Sequence, residues 1–156
     1  MPQGFLPFYD DNSRVLILGS FPSVKSREVG FYYGNPQNRF YGMLSRLFGE
    51  NCGAPIAEKQ AFLQKHHIAL WDINLSCEID GSKDETIRKA EIADVPHLLQ
   101  KTGIEVVLCN GAASFEALQK AYPAVAAKAK KLPSTSPRNV RYDESAWHKA
   151  LAFLVE

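Results

Sequence analysis

The sequence predicts an α/β sandwich, with helices packed around a mostly parallel β-sheet. Three observations predict it. Short apolar runs recur at residues 14–19, 68–73 and 104–109, each run is stopped by glycine or polar residues, and amphipathic stretches of helical period lie between them. Arg14-Val-Leu-Ile-Leu-Gly19 has no polar alternation, so it reads as a strand buried on both faces. Residues 38–48 place Phe40, Met43, Leu44, Leu47 and Phe48 on one stripe of a helix. Pro55 suits a first helical position, and a weaker helix to about His66 leads into the second strand, Ile68–Ile73.

Residues 74–83 read as a polar loop, followed by a helical segment from about Asp84. Asp94 suits the cap of a helix to Lys101, with Gly103 closing it before the third strand, Ile104–Cys109. Asn110-Gly111 opens a helix with Phe115, Leu118 and Tyr122 on one face, ended by Pro123. Residues 126–132 predict a fourth strand, and Ser145 a cap for a last helix that buries Trp147, Leu151 and Leu154.

Composition narrows the class. The 156 residues are 46% hydrophobic and 22% charged, which fits one globular domain over 1–156. No apolar run approaches the roughly 20 residues of a membrane span, and the first residues lack the basic, apolar and small-residue regions of a signal peptide. Scattered Gly and Pro exclude collagen-like and linker classes. Cys52, Cys77 and Cys109 are far apart and odd in number. That argues against a disulfide framework and against a thiolate metal or iron–sulfur site, so the expectation is a cytoplasmic protein that needs no metal or cofactor.

The formal net charge of +1 conceals an uneven distribution. Residues 128–141 hold Lys128, Lys130, Lys131, Arg138 and Arg141 with no acid, and 25–46 hold Lys25, Arg27, Arg39 and Arg46 against Glu28 alone. The middle of the chain, 50–94, carries nine acids against five bases. In open parallel sheets the ligand site lies beyond the carboxyl ends of the strands. Both basic segments fall in loops at that edge, so one positive face toward a polyanion is expected.

The loop after the first strand is unusually long and contains Phe31-Tyr32-Tyr33-Gly34. Aromatics in a glycine-punctuated polar loop suit stacking on a planar ligand; covering the sheet edge is the other role open to them. No GxxxxGK[ST] or GxGxxG phosphate loop is present, and Ser20, Ser23 and Ser136 lack a hydrolase elbow. Leu132-Pro-Ser-Thr-Ser-Pro-Arg-Asn139 is stiffened by two prolines and offers three hydroxyls to phosphates. Asp72 stands where the second strand leaves the sheet, as a site residue or a loop cap.

Four segments, GSFPSVKS (19–26), FYYGNPQNRF (31–40), WDINLSCEIDGS (71–82) and LPSTSP (132–137), together resemble the uracil-DNA glycosylase superfamily, in particular its hypoxanthine-DNA (deoxyinosine) glycosylase branch. The resemblance runs from Asp11 to Trp147. It implies a three-layer αβα sandwich with a four-stranded, mostly parallel central sheet. It also implies excision of a deaminated purine from lesion-containing double-stranded DNA, as base excision repair, by a monomer without metal or nucleotide cofactor. Asn38 matches the branch's catalytic asparagine; as a residue in this sequence it also suits the cap of the following helix. The base pocket is expected from Gly19, Ser20, Phe21, Ser23, Phe31, Tyr32, Tyr33 and Asp72. The DNA-binding set is expected from Lys130, Lys131, Pro133, Ser134, Thr135, Ser136, Arg138 and Asn139, with Arg138 or Asn139 filling the gap left by a flipped base. Two departures stand out: Ser20-Phe21-Pro22 replaces the water-holding Asp or Asn of many members, and Leu132 replaces the frequent His. Both favour hypoxanthine over uracil. Uracil or G/T-mismatch excision, and a catalytically idle nucleic-acid-binding module, stay open at this point.

Overall fold

Four strands form the central sheet: β1 (Val15–Gly19), β2 (Ile68–Asp72), β5 (Val106–Asn110) and β6 (Lys130–Leu132), in the order β2-β1-β5-β6 and all parallel. The computed structural model describes residues 3–78 and 88–155. A second sheet pairs β3 (Asn74–Glu78) with β4 (Arg88–Ile92) in antiparallel fashion. The helices are α1 (Val24–Val29), α2 (Phe40–Phe48), α3 (Ile56–Lys65), α4 (Val95–Gln100), α5 (Ala112–Ala121), α6 (Pro123–Ala126) and α7 (Glu144–Leu151).

The strand order follows from burial. Every residue of β1 and β2 is buried, as only strands covered on both faces can be. β1 takes the centre, with Val15 in register with Ile68 on one side and Val106 on the other. α3 packs on β2, α5 packs on β1, β5 and β6, and α2 packs on α7. The outer edge of β2 is covered by Phe8, whose N–H and C=O both bond Leu70 at 2.9 Å, which removes an open template for strand addition. From β1 the chain moves to β2 on one side and later returns to β5 on the other. The ends of β1 and β5 therefore open a crevice of the kind in which such sheets bind ligands.

Several boundaries differ from the sequence reading. Residues 74–78, expected as loop, form β3, because Asn74 and Ile73 hang from the backbone carbonyls of Ser20 and Gly19. Residues 88–92, expected within a helix, form β4 against β3; residues 79–87 lie outside the described residues. The fourth strand is only Lys130–Leu132, since Ala126 belongs to α6, which Pro123 starts rather than merely ending α5. Helix α7 is capped by Asp143, whose carboxylate accepts the Ser145 N–H at 3.1 Å, not by Ser145. Helix α1 stands inside the loop after β1, capped by the Ser23 hydroxyl. Asp94 caps α4 as expected, accepting the His97 N–H at 3.1 Å.

Candidate active site

The crevice deepens into a cavity of about 470 Å³, at the carboxyl ends of β1, β2 and β5. Gly19 ends β1 there. A methyl on Gly19 would collide with Oδ1 of Asp72 and lie 3.0 Å from the Tyr33 hydroxyl, so only glycine leaves these two groups their places. Asp72, at the end of β2, is 5% exposed. Ser20, Phe21, Ser23 and Ser26 continue the wall along the start of α1, and the Arg27 guanidinium lies over the Phe21 ring at 5.4 Å.

The three aromatics of the long loop take different fates. Phe31 does not line the cavity: it sits in the core, edge-on to Phe8 and Tyr32. Its expected pocket role is thereby corrected, since the apolar ring gains more by burial than a polar rim could give it. Tyr32 lines the cavity but is 2% exposed, with its hydroxyl donating 2.7 Å to the Leu6 carbonyl. Burial, with a smaller contribution from the Asp72 charge, pushes that hydroxyl far above the usual phenol range, so it stays a proton donor. Tyr33 lines the cavity with its ring on Phe40, 4.4 Å between centroids. Its backbone is left-handed, φ 54°, an uncommon state for a bulky residue and a mark of tertiary constraint.

Asn38 lines the cavity just before α2. Its Oδ1 accepts the Phe40 N–H at 3.0 Å. An amide nitrogen could not accept that proton, so the side-chain orientation is fixed and Nδ2 is left as a donor. Asn38, one residue ahead of the N-cap Arg39, therefore holds the first N–H of α2 with one end and offers the other to a ligand.

Across the cavity, Ser134, Thr135, Ser136, Pro137 and Arg138 form the facing wall. Thr135 is fully buried and held by Asn110 at the end of β5: Oδ1 accepts the Thr135 N–H and Nδ2 donates to its Oγ1, both at 3.0 Å. Gly111, at φ 95°, lets Ser134 pass within 3.1 Å of where a Cβ would stand. Trp147 Nε1 donates 2.8 Å to the Pro133 carbonyl, so Pro133 anchors the loop from behind and does not line the cavity. Lys130 and Lys131 are exposed on β6, away from the cavity wall.

Asn139 is likewise off the wall, and it is fully engaged. Its N–H bonds the Ser136 carbonyl, its carbonyl accepts from Arg39, its Oδ1 accepts the Arg141 N–H, and its Nδ2 donates to the Ser134 carbonyl. These bonds hold Asn139 in the turn, so of the two residues expected to fill a gap in DNA, Arg138 is the one that lines the cavity. The turn it builds instead presents Val140, 92% exposed between Arg138 and Arg141.

In the sequence Asn110 reads as the start of a helix and Arg39 as one cation of a basic segment, neither as a residue that builds the site. Asn110 stands at a strand end, where the fold rule points; nothing local marks Arg39. The buried thiols Cys52 and Cys109 are pushed up to about 11 and about 12 by desolvation, so neither is a ready nucleophile. Among the described residues no group of three or more His, Cys, Asp or Glu side chains is placed to hold a metal, and no helix is long and apolar enough to cross a membrane.

Known proteins are similar to this chain along most of its length. The family model for the uracil DNA glycosylase superfamily matches residues 6–154. The chain belongs to the uracil-DNA glycosylase superfamily. Within that superfamily it is similar to a hypoxanthine DNA glycosylase of Methanosarcina acetivorans, 36% identical over 93% of this chain and 94% of that one. A hypoxanthine DNA glycosylase of Methanosarcina barkeri is 31% identical over 95% of this chain and 96% of its own. The solution NMR structure of a Methanosarcina acetivorans protein described as a candidate uracil DNA glycosylase superposes with a TM-score of 0.85, at 32% identity, covering 97% of both chains. The four segments that resemble the superfamily, 19–26, 31–40, 71–82 and 132–137, all contribute residues to the wall of this one cavity.

Proposed function

We propose that this chain is a monofunctional DNA glycosylase that releases hypoxanthine from DNA by hydrolysing its N-glycosidic bond. The observation that carries the reading is Asn38: a cavity residue whose amide oxygen is committed to the helix and whose amide nitrogen remains to donate. The hypoxanthine DNA glycosylases similar to it support the choice of base.

A base inside a duplex is out of reach, so the nucleotide must be extruded into the cavity. The cavity volume falls within the range of about 300–1,000 Å³ usual for small-molecule sites. As the glycosidic bond lengthens, the sugar becomes oxocarbenium-like and the purine gathers negative charge. The Asn38 Nδ2–H is a fixed dipole that stabilises this charge, and an asparagine cannot be a strong base, so the site assists departure more than it activates water. Phe21 and Tyr33 offer the ring faces for stacking. Hypoxanthine presents an O6 acceptor and an N1–H donor where adenine presents a donor and an acceptor. Asp72 and the backbone around Gly19 and Ser20 are the groups that read this edge, and a mispaired polar group there costs a few kcal/mol.

On the outside, Lys130 and Lys131 meet phosphates without regard to sequence. Arg138 stands at the cavity mouth, and Val140 is the apolar tip that enters the stack as the base leaves; such wedges offset the cost of unstacking.

The test is a single-turnover assay on duplexes that differ only in hypoxanthine, uracil, xanthine or mismatched thymine. Fastest release of hypoxanthine is expected. Faster release of uracil would move the substrate assignment, and binding without abasic product would make the chain a non-catalytic binder.

A further inference from the structure

Arg39 follows the proposed catalytic residue, and among the described residues it makes no ion pair. Its guanidinium instead donates through one nitrogen to two carbonyls of a single turn, Ser136 at 3.1 Å and Asn139 at 2.9 Å. These are the first and last residues of that turn, which is closed by the Asn139 N–H on the same Ser136 carbonyl at 3.0 Å. The Arg39 backbone N–H donates to the Thr135 carbonyl at 3.0 Å, and its guanidinium lies 4.8 Å from the centre of the Tyr142 ring. One residue therefore joins the loop that carries Asn38 to the loop that carries Arg138 and Val140, about a hundred positions later.

We propose that Arg39 is a positioning residue that locks Asn38 to the DNA-facing turn, so that engagement of the duplex and placement of the catalytic amide are one event. This rests on the reading of Asn38 given above. The other bonds of Asn38 are local, its N–H to the Asn35 carbonyl at 2.9 Å and its Oδ1 from the Phe40 N–H at 3.0 Å, whereas those of Arg39 reach the facing loop. The facing loop is fixed, because Asn110 pins Thr135 to the end of β5 and Trp147 pins Pro133. Arg39 transfers that fixity to Asn38. The planar guanidinium suits this task, as its donors point in set directions on a pre-organised group; a lysine ammonium is a compact, strongly hydrated point charge on a flexible stem and would hold the turn less firmly. A catalytic group displaced by about 1 Å can lose as much as 10²-fold in rate.

The experiment is a double-mutant cycle on the saturating single-turnover rate with inosine-containing duplex, using Arg39→Ala, Arg39→Lys, Asn38→Ala and Asn38→Ala/Arg39→Ala. Circular dichroism melts confirm that each variant is folded at the assay temperature. Arg39→Ala should slow the chemical step by about tenfold or more, with Arg39→Lys in between and binding to undamaged duplex changed far less. In the Asn38→Ala background the further loss from Arg39→Ala should nearly vanish, because a positioning residue has nothing left to position. A folded Arg39→Ala with an unchanged saturating rate would overturn the proposal. Full additivity in the cycle would overturn it too, making Arg39 a stabilising or DNA-binding residue independent of Asn38. The single variant Asn38→Ala keeps the two readings separable: if it alone leaves the rate intact, Asn38 is not catalytic, whatever Arg39 does.

Discussion

Asn38 does two jobs with opposite ends of one amide, and two substitutions separate them. In Asn38→Ala both ends are lost. The Phe40 N–H loses its acceptor at 3.0 Å, a hydrogen bond worth about 1 kcal/mol. The donor toward the departing base is lost as well, and loss of one such preorganised donor costs about 10²–10³ in rate, or roughly 3–4 kcal/mol of barrier. In Asn38→Asp the acceptor remains, and a carboxylate at the start of α2 is favourable to the helix by about 0.3–1 kcal/mol. Thermal stability should therefore be equal to or slightly above that of the parent. The donor is gone, and a negative charge now faces the purine as it becomes anionic, so the chemical step should be at least as slow as in the alanine variant. The assay pairs a melting curve with single-turnover excision from inosine-containing duplex. An aspartate variant that keeps the parent rate would refute the reasoning, because a carboxylate can orient or deprotonate water but cannot donate to a leaving group.

Other expectations follow from the same geometry. Gly19→Ala should push the Asp72 carboxylate and the Tyr33 hydroxyl aside, since a methyl there lies inside the 3.4 Å at which ordinary contact begins; excision should fall by up to about 10²-fold with a folded circular dichroism spectrum, and a parent-like rate would remove these groups from the site. Val140→Ser alters a residue 92% exposed, so the melting point should not move, while excision slows by about tenfold on duplex and not on single-stranded inosine substrate; equal rates on duplex would take the wedge away from Val140. Glu144 is held below the ordinary glutamate range first by its hydrogen bonds from Arg46, at 2.6 and 2.7 Å, which tie α2 to α7. A lowered folded-state pKa means the stabilisation is present above the ordinary glutamate value and lost as the pH falls through the lowered one. The melting-point gap between the parent and Glu144→Gln should thus be open near pH 7 and close as the pH falls below the ordinary glutamate value; a gap constant with pH would mean the charge contributes nothing. Activity should survive excess chelator, and loss restored by added metal would contradict the cofactor-free reading.

How much of this was legible in the sequence depended on how local each signal was. The strands β1, β2 and β5 announced themselves because a strand buried on both faces must be an unbroken apolar run. The β3–β4 pair was not legible: Asn74–Glu78 and Arg88–Ile92 have no apolar alternation, and Asn74 and Ser76 are polar residues that only the tertiary fold buries. The six residues of α1 offered too short a period to see. In the site, the loop ends and Asn38 could be read from position and resemblance. Which of Phe31, Tyr32 and Tyr33 faces the cavity could not, because the left-handed turn at Tyr33 decides it and neighbouring elements impose that turn. Arg39 and Asn110 act on residues about a hundred and 25 positions away, a separation no local pattern encodes.

The order of strands in the central sheet also sets a timetable for the growing chain. β1 occupies the middle of the sheet, yet its neighbour β5 arrives about ninety residues later in synthesis, Val15 against Val106. At about 5–20 residues per second, a ribosome leaves the Val-Leu-Ile-Leu run waiting roughly 5–18 s for that partner. β2 comes sooner and can cover one side, but parallel pairing closes long loops and is intrinsically slow. The facing wall of the cavity, residues 134–138, is added after all of these. The nascent polypeptide must therefore keep its most apolar strand from pairing with other chains before it has any site to use, and early β1–β2 docking, together with the Phe8 cover on β2, is the protection this fold provides during that interval.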